Sequence, residues 1–437
     1  MSAEIIEHPA LRRPTVPPAR RASFPLRRRH VFYVPGYDGR GVRQYRRMYR
    51  EGCESLRTVY GVEAKLGRVS RSRLWGTYLW QASARTEEWQ VETTYEFCPW
   101  EDLVREDLRA PVRRQVSRAV RTFWLYLSSG AMRRFFEARW QFGAFVLYPF
   151  AMAILFVAVA LAAGGAAGVG LASLGFPWHV VGLAVLTVSA LTCNQLFRRL
   201  SRPLYVGYLA VDFAEAAEYA AGRRPDWEER LDRLAQRIAQ VSLEDGVDEI
   251  LVVGHSSGAF LAADAVDRAM RLEPKLGRIG PRLSLLTLGS VMPLVSYLPE
   301  ADWFREALLR LSTSDRLTWL EYQARKDVMS VHRCDPVASS GVRVPDGERT
   351  NPTVVSIQLR SILKPSTYKA LSGRFFKLHF LYLAAAEKPC HFDYHMLTLG
   401  PVPLALRARF GEEAFAALLP DRRAAAWARL ERTAHEV

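Results

Sequence analysis

Short apolar segments alternate with longer segments of helical periodicity along most of the chain. The first apolar segment covers residues 30–34 and ends at Pro35-Gly36, and a helix is predicted at residues 42–58. Strands that alternate with helices predict an α/β fold with a mainly parallel sheet. The other predicted strands cover residues 89–97, 248–253, 283–288, 317–324 and 353–359, and the other predicted helices cover residues 205–221, 227–241 and 303–311.

This pattern changes between Trp140 and Phe197, where 58 consecutive residues include no Asp, Glu, Lys or Arg. The most apolar parts are residues 143–163 and 178–197, and each is close to the ~20 residues that cross a bilayer core. Residues 164–177 between them contain several glycines and Pro177, which favour a turn. The sequence therefore predicts a transmembrane helical hairpin, with a re-entrant hairpin as the alternative.

The net charge of +15 is carried by many arginines, several of which border this apolar stretch. No nucleic-acid-binding motif accompanies the charge, so the predicted partner is the lipid bilayer and not a nucleic acid. Arginines mark the cytoplasmic side of membrane helices, so the chain outside the hairpin is predicted to be cytoplasmic, with two spans. Five scattered cysteines without a CxxC pair fit that reducing compartment. The bordering arginines are Arg133, Arg134, Arg139, Arg198, Arg199 and Arg202.

A G-x-S-x-G motif formed by Gly254, Ser256 and Gly258 is the strongest chemical signal in the sequence. Glycine and serine are common, so the pattern alone is weak evidence. Here, however, an apolar strand leads into the motif and an alanine-rich helix follows it. That strand–turn–helix arrangement presents a nucleophilic serine on a strained turn, so Ser256 is predicted to be a nucleophile. A structural Gly-Ser turn is the alternative.

With this motif the chain resembles the α/β-hydrolase superfamily, in particular its lipases and esterases. The resemblance covers about residues 30–130 and 201–400 as an order of elements. It implies a catalytic triad in the chain order serine, acid, histidine, so the acid and the base are sought after Ser256. It also implies that the sheet is of the α/β-hydrolase type and is interrupted by the hairpin.

The resemblance places the acid in a loop after a strand, where Asp327 follows the predicted strand 317–324. Asp335 and Asp315 remain as alternatives. His379 is the preferred base because it follows the last predicted strand, and His391 and His395 are the alternatives to it. His332 lies too close to the acid and His435 lies in the C-terminal tail.

The oxyanion hole is expected to use two backbone N–H groups, that of Ser257 and that of Tyr37 in the turn after the first strand. In this turn Pro35 stands where many superfamily members have histidine, while Gly36 keeps the tight turn. Two such donors stabilise the developing negative charge of the transition state.

Together these patterns predict a membrane-anchored serine hydrolase that cleaves an ester, thioester or amide, with a lipid-like acyl substrate favoured and no cofactor or metal. A catalytically silent membrane protein that uses a hydrolase scaffold for binding or assembly is the alternative. The expected organisation is a disordered basic arm (1–29), the two parts of the hydrolase domain (30–139 and 198–410), the hairpin (140–197) and a helical tail (411–437).

Overall fold

A computed structural model describes residues 4–5 and 24–436 of the chain. The chain forms two compact units. We call Met1–Arg105 with Tyr219–Val437 the sheet unit, and Glu106–Glu218 the helical unit. The helical unit is larger than the predicted hairpin because it also includes two helices before the hairpin and most of the helix after it.

The sheet unit contains a ten-stranded mixed sheet with the order β1-β10-β9-β8-β7-β2-β6-β5-β3, and β4 pairs with β5. The six neighbouring strands from β10 to β6 are parallel, and the strands outside them are antiparallel. The prediction of an α/β fold with a mainly parallel sheet is therefore confirmed. The strands are β1 Glu4–Ile5, β2 Arg28–Val34, β3 Glu63–Leu66, β4 Ser70–Arg71, β5 Tyr78–Arg85, β6 Gln90–Phe97, β7 Glu249–His255, β8 Arg282–Leu288, β9 Leu317–Ala324 and β10 Thr353–Ile357.

Helices connect these strands, and every residue of the central strand β7 is buried. Burial on both faces explains why β7 and the neighbouring β8 read as mostly apolar runs in the sequence. The helices are α1 Val42–Tyr60, α2 Glu101–Arg109, α3 Val112–Ser128, α4 Ala131–Ala138, α5 Trp140–Ser173, α6 Trp178–Leu200, α7 Val206–Ala220, α8 Pro225–Val241, α9 Gly258–Leu272, α10 Pro293–Ser296, α11 Asp302–Ser312, α12 Pro365–Leu371, α13 Phe375–His379, α14 Tyr394–Leu399, α15 Leu404–Ala416 and α16 Arg423–Glu436.

Strand β2 starts at Arg28, two residues before the predicted first strand and inside the segment expected to be a disordered arm. Arg29 is buried there because its guanidinium pairs with Glu249 on β7 at 2.7 Å and donates to the carbonyl oxygens of Gly400 and Val402. These partners lie more than 200 residues away, so the sequence pattern does not reveal them. Residues 6–23 of the expected arm lie outside the described residues.

In the helical unit, α5 and α6 are both long and apolar enough to cross a membrane. Helix α5 runs ten residues beyond the predicted end of the first span, so the connection to α6 contains only residues 174–177. At 1.5 Å per residue, α5 is about 51 Å long. The turn predicted at residues 164–173 was wrong, because two of the glycines taken for turn formers lie on a packed helix face.

Gly164 and Gly168 form that face. A Cβ atom on Gly164 would lie 2.1 Å from Oγ of Ser189 and 2.6 Å from the carbonyl oxygen of Val185, and one on Gly168 would lie 2.5 Å from Cγ2 of Val185. Ala160, one turn earlier, is also buried. Small residues spaced four apart let the backbones of two apolar helices approach closely.

Candidate active site

Ser256 lies on a sharp turn between β7 and α9, with a backbone φ of 58°. A serine in this left-handed conformation costs of order 1–3 kcal/mol, which the surrounding contacts must offset. The N–H of Ser256 donates to the carbonyl oxygen of Leu288, the last residue of β8, at 3.0 Å. The turn thus holds a half-buried serine at the carboxyl edge of the parallel strands.

The two glycines of the motif lie where no side chain fits. A Cβ on Gly254 would lie 2.4 Å from the carbonyl oxygen of Gly258, and one on Gly258 would lie 2.2 Å from the carbonyl oxygen of Val34. Close approach of α9 to β7 and β2 therefore requires glycine at both positions. This explains in physical terms why the motif has small residues on both sides of Ser256.

Asp327 and His379 are hydrogen-bonded to each other in the sheet unit. Nδ1 of His379 lies 2.8 Å from Oδ2 of Asp327, and both side chains are buried. Asp327 follows β9 and also accepts hydrogen bonds from the Met329 N–H at 3.0 Å and the Ser330 hydroxyl at 2.6 Å. Burial raises the pKa of Asp327, but the neighbouring His379 and these hydrogen bonds outweigh it and bring the pKa below its ordinary value.

Gly289 connects this pair to the edge that carries Ser256. It directly follows Leu288, the residue that accepts the Ser256 N–H. A Cβ on Gly289 would lie 3.2 Å from Cε1 of His379 and 3.1 Å from Oδ2 of Asp327. The serine and the acid–histidine pair therefore lie on either side of one strand end. Nε2 of His379 is buried and has no hydrogen-bond partner among the described residues. The hydrogen bond from the Ser256 hydroxyl to this nitrogen is therefore not formed in this structure.

The turn between β7 and α9 that carries Ser256 is called the elbow here. His255 connects the elbow to His379 by a contact that sequence reasoning missed. Its Nε2–H donates to the carbonyl oxygen of His379 at 3.1 Å, and the two rings lie 4.6 Å apart. Burial, followed by the nearby His379, holds the pKa of His255 well below its usual range, so the ring is neutral. The position next to the nucleophile was visible in the sequence, but its partner 124 residues away was not.

The turn after β2 packs directly on the elbow. A Cβ on Gly36 would lie 2.9 Å from Cβ of Ser256 and 3.4 Å from the backbone nitrogen of Ser257. Tyr37, whose N–H is the second predicted oxyanion donor, directly follows this contact and is buried. The residues assigned to the oxyanion hole thus belong to two segments that touch at Ser256.

Side chains of this turn also reach the segment that holds His379. Asp38 accepts a hydrogen bond from the Tyr45 hydroxyl at 2.6 Å and pairs with Arg40 at 2.8 Å. The Arg40 guanidinium lies 3.9 Å from the centre of the Phe380 ring, next to His379. A cation held over an aromatic face stabilises both segments.

The alternative acids have other partners. Asp335 pairs with Arg349 and accepts the N–H groups of Val337 and Ala338, which are contacts of a structural turn. Asp315 lies at the surface, 3.9 Å from Arg278. Neither carboxylate is hydrogen-bonded to a histidine, among the residues that the structure describes.

The alternative histidines have other surroundings. Both ring nitrogens of His395 are buried without a hydrogen-bond partner, and burial lowers the pKa of His395 to about 3. His391 packs against Phe415, and burial lowers its pKa. His332 contacts the Ser356 hydroxyl at 2.8 Å, and the side chain of His435 lies outside the described part of the chain.

Nothing in the described residues forms a metal site, since no three His, Cys, Asp or Glu side chains are grouped to hold an ion. Two cavities of about 420 and 760 Å³ open in the sheet unit, but their walls do not include Ser256, Asp327 or His379. The geometry of the elbow and the Asp327–His379 pair therefore carries the chemical argument. No protein-family model, no curated protein and no solved structure matches this chain.

Proposed function

We propose that this chain is a membrane-anchored serine hydrolase of the α/β-hydrolase type that cleaves an ester, thioester or amide. The observation that carries the proposal is the buried hydrogen bond between Asp327 and His379 on the sheet edge where Ser256 occupies a strained turn. An acid, an imidazole and a serine hydroxyl in this order form the relay that activates a serine.

In the proposed reaction, Nε2 of His379 removes the hydroxyl proton of Ser256 as its Oγ attacks the substrate carbonyl. Asp327 keeps the proton on Nδ1, so Nε2 is the basic nitrogen. The hydrogen bond between the Ser256 hydroxyl and Nε2 of His379 forms when substrate binds, since catalytic hydrogen bonds are often long in free enzymes. The N–H groups of Tyr37 and Ser257 donate to the negatively charged oxygen of the tetrahedral intermediate.

The leaving group then takes the proton from His379 and departs, which leaves an acyl ester on Ser256. Water attacks this ester as His379 accepts one of its protons. His379 then returns that proton to Oγ of Ser256 as the carboxylic acid departs, which restores the serine hydroxyl and the neutral imidazole. No cofactor enters any step. Each of these steps uses atoms that belong to the predicted site residues, substrate or water.

Membrane anchoring is supported by apolar surface on α5 and α6 that the helical unit leaves uncovered. Val169, Leu186 and Trp178 are between 71 and 85% exposed. Exposed apolar surface of this kind needs a cover, and the hydrocarbon core of a bilayer supplies one. The arginines at both ends of the hairpin favour a cytoplasmic sheet unit. A hydrolase held at the bilayer favours a lipid-like acyl substrate.

Labelling with a fluorophosphonate probe tests the proposal. Wild-type protein in detergent should be labelled covalently, Ser256→Ala should not, and Ser55→Ala should be labelled like wild type because Ser55 only bonds within α1. A folded wild-type protein that resists every such probe would instead support a catalytically silent scaffold. Labelling that survives in Ser256→Ala would exclude Ser256 as the nucleophile.

A further inference from the structure

Helix α3 of the helical unit presents an apolar stripe to the outside. Val112, Val116, Val120 and Trp124 follow one another at intervals of four residues, and Leu127 continues the stripe. These five side chains are between 47 and 75% exposed. Residues three and four apart share one helix face, so the stripe is continuous along the helix.

The opposite face of α3 is fixed inside the helical unit. The buried guanidinium of Arg118 pairs with Glu218 at 2.7 Å and with Glu215. The hydroxyl of Tyr126 donates to the carbonyl oxygen of Phe213 at 3.2 Å. Releasing a buried arginine from its carboxylates leaves charges unpaired and is costly. The helix therefore cannot roll to bury the stripe within its own unit.

Basic side chains border the stripe. Arg113, Arg114 and Arg121 are exposed, and none of them forms an ion pair within the described residues. On a helix of 3.6 residues per turn, Arg113 lies in the first turn within the sector of the stripe, between the directions of Val120 and Trp124. Arg114 and Arg121 lie beyond the polar residue Ser117 and form the basic edge of the stripe. An apolar sector edged by arginine, with a tryptophan in it, is the composition of helices that lie in a membrane interface.

We infer that α3 lies flat on an anionic bilayer surface, with Val112, Val116, Val120, Trp124 and Leu127 in the acyl boundary and the arginines on lipid phosphates. The position of α3 in the chain supports the bilayer as the surface that covers the stripe. Helix α5, the first candidate span, begins twelve residues after α3 ends, and its first residue, Trp140, is also exposed. The inference rests on the proposed membrane location and is independent of the hydrolase activity.

Site-directed fluorescence in proteoliposomes tests this inference. A nitrobenzoxadiazole label on Val120→Cys, in a Cys193→Ala background, should emit at shorter wavelength and be quenched by lipids with spin-labelled acyl chains. The matched label on Arg121→Cys, about 100° round the helix from Val120, should emit at longer wavelength and be quenched less. Equal emission and equal quenching at the two positions would overturn the inference. A Val120→Cys label that is already blue-shifted in detergent and unquenched by lipid would also overturn it, because a protein surface then covers the stripe.

A label on Ile154→Cys in α5 separates the two proposals. If that label is quenched and the Val120→Cys label is not, the membrane span stands and the inference about α3 fails. If neither is quenched, the membrane location itself fails, and with it this inference. Vesicles with phosphatidylglycerol should quench the Val120→Cys label more than vesicles of phosphatidylcholine alone, and Arg113→Gln, Arg114→Gln and Arg121→Gln together should abolish the difference. Equal quenching in both lipids would exclude the contact of arginine with anionic lipid.

Discussion

His379 and Asp327 are separated by 52 residues in the chain, yet Nδ1 of His379 lies 2.8 Å from Oδ2 of Asp327 in a buried setting. A carboxylate at this distance keeps the proton on Nδ1 and leaves Nε2 as the nitrogen with a free lone pair. The orientation of the imidazole is thus set by the fold before any substrate arrives. This relationship determines which substitutions discriminate between the candidate residues.

Replacing His379 by alanine should remove nearly all hydrolysis of an activated ester, because His379 is the proposed base for the Ser256 hydroxyl. The fall in kcat is expected to be of order 10³-fold or more, as for other members of such triads. His391→Ala, a half-buried site outside the Asp327 contact, is the control and should retain wild-type turnover. Loss of turnover in the His391 variant with retention in the His379 variant would reverse the assignment.

Asp327→Asn should lower kcat by about 10²–10⁴-fold while leaving some turnover, because the amide holds the wrong tautomer but a fraction of rings adopts the right one. Turnover at the wild-type rate would show that Asp327 does not orient the base. Asp335→Asn serves as the comparison, since that carboxylate bonds to Arg349 and a turn.

The stability of the fold should depend on the ionisation of Asp327. The pKa of Asp327 in the folded protein lies below the ordinary 3.8. The carboxylate therefore stabilises the fold fully at pH values above the pKa that Asp327 has in the unfolded chain. This contribution is lost as the pH falls through the lower folded value. Thermal melts should show a decrease of wild-type stability below pH ~4, and the decrease should be smaller in Asp327→Asn. Identical pH profiles would contradict the pKa shift.

His255 should act as a positioning residue for His379. His255→Phe keeps a ring against His379 but removes the N–H that holds its carbonyl oxygen, and kcat should fall about tenfold with little change in KM. His255→Gln restores a donor and should recover part of the rate. An equal loss in both variants, or a change in KM alone, would assign His255 a merely structural role.

Close packing of α5 on α6 should be sensitive to single side chains. Gly164→Leu and Gly168→Leu should each destabilise the helical unit by about 1–3 kcal/mol, the usual cost of overpacking. Gly165→Leu and Gly170→Leu are matched controls because a Cβ there meets no atom within 4 Å. Thermal inactivation in detergent measures the difference. Equal melting of all four variants would mean that the helices do not pack through this face.

Topology can be read from cysteine accessibility. In a Cys193→Ala background, Leu174→Cys in the connection between α5 and α6 should react with an impermeant thiol reagent from outside intact cells, and Arg360→Cys in the sheet unit should not. The reverse pattern would place the sheet unit outside. If alkaline carbonate extracts the protein from membranes, the proposal of a transmembrane hairpin is contradicted.

The predictable features were those encoded by local pattern. Apolar runs located the buried strands β7 and β8 within two residues at both ends, because strands buried on both faces need apolar side chains. The glycines around Ser256 located the elbow, since only glycine fits there. Asp327 was chosen because the resemblance implies an acid after a strand, and its role as the acid stays a prediction.

The missed features depend on distant partners. Arg29 reads as part of a basic arm, and only Glu249 in the folded sheet makes it a strand residue. Gly164 and Gly168 read as turn formers until α6 is placed beside them. The antiparallel strands β3, β4 and β5 are short or half exposed, so their apolar signal was weak. For Arg29, Gly164 and Gly168, a neighbour remote in sequence decides the outcome.

Strand β2 is hydrogen-bonded to β7, with Arg29 opposite Glu249, although both long apolar helices lie between these strands in the chain. Synthesis proceeds from the N-terminus, so the ribosome releases β2, then α5 and α6, and only afterwards β7. The central pair of the sheet therefore cannot form until the apolar helices have emerged. Until that moment β2 has one unpaired edge, which other chains can occupy. Emergence of α5 and α6 thus precedes completion of the sheet, and a delay in synthesis between β2 and β7 prolongs the exposure of this edge to aggregation.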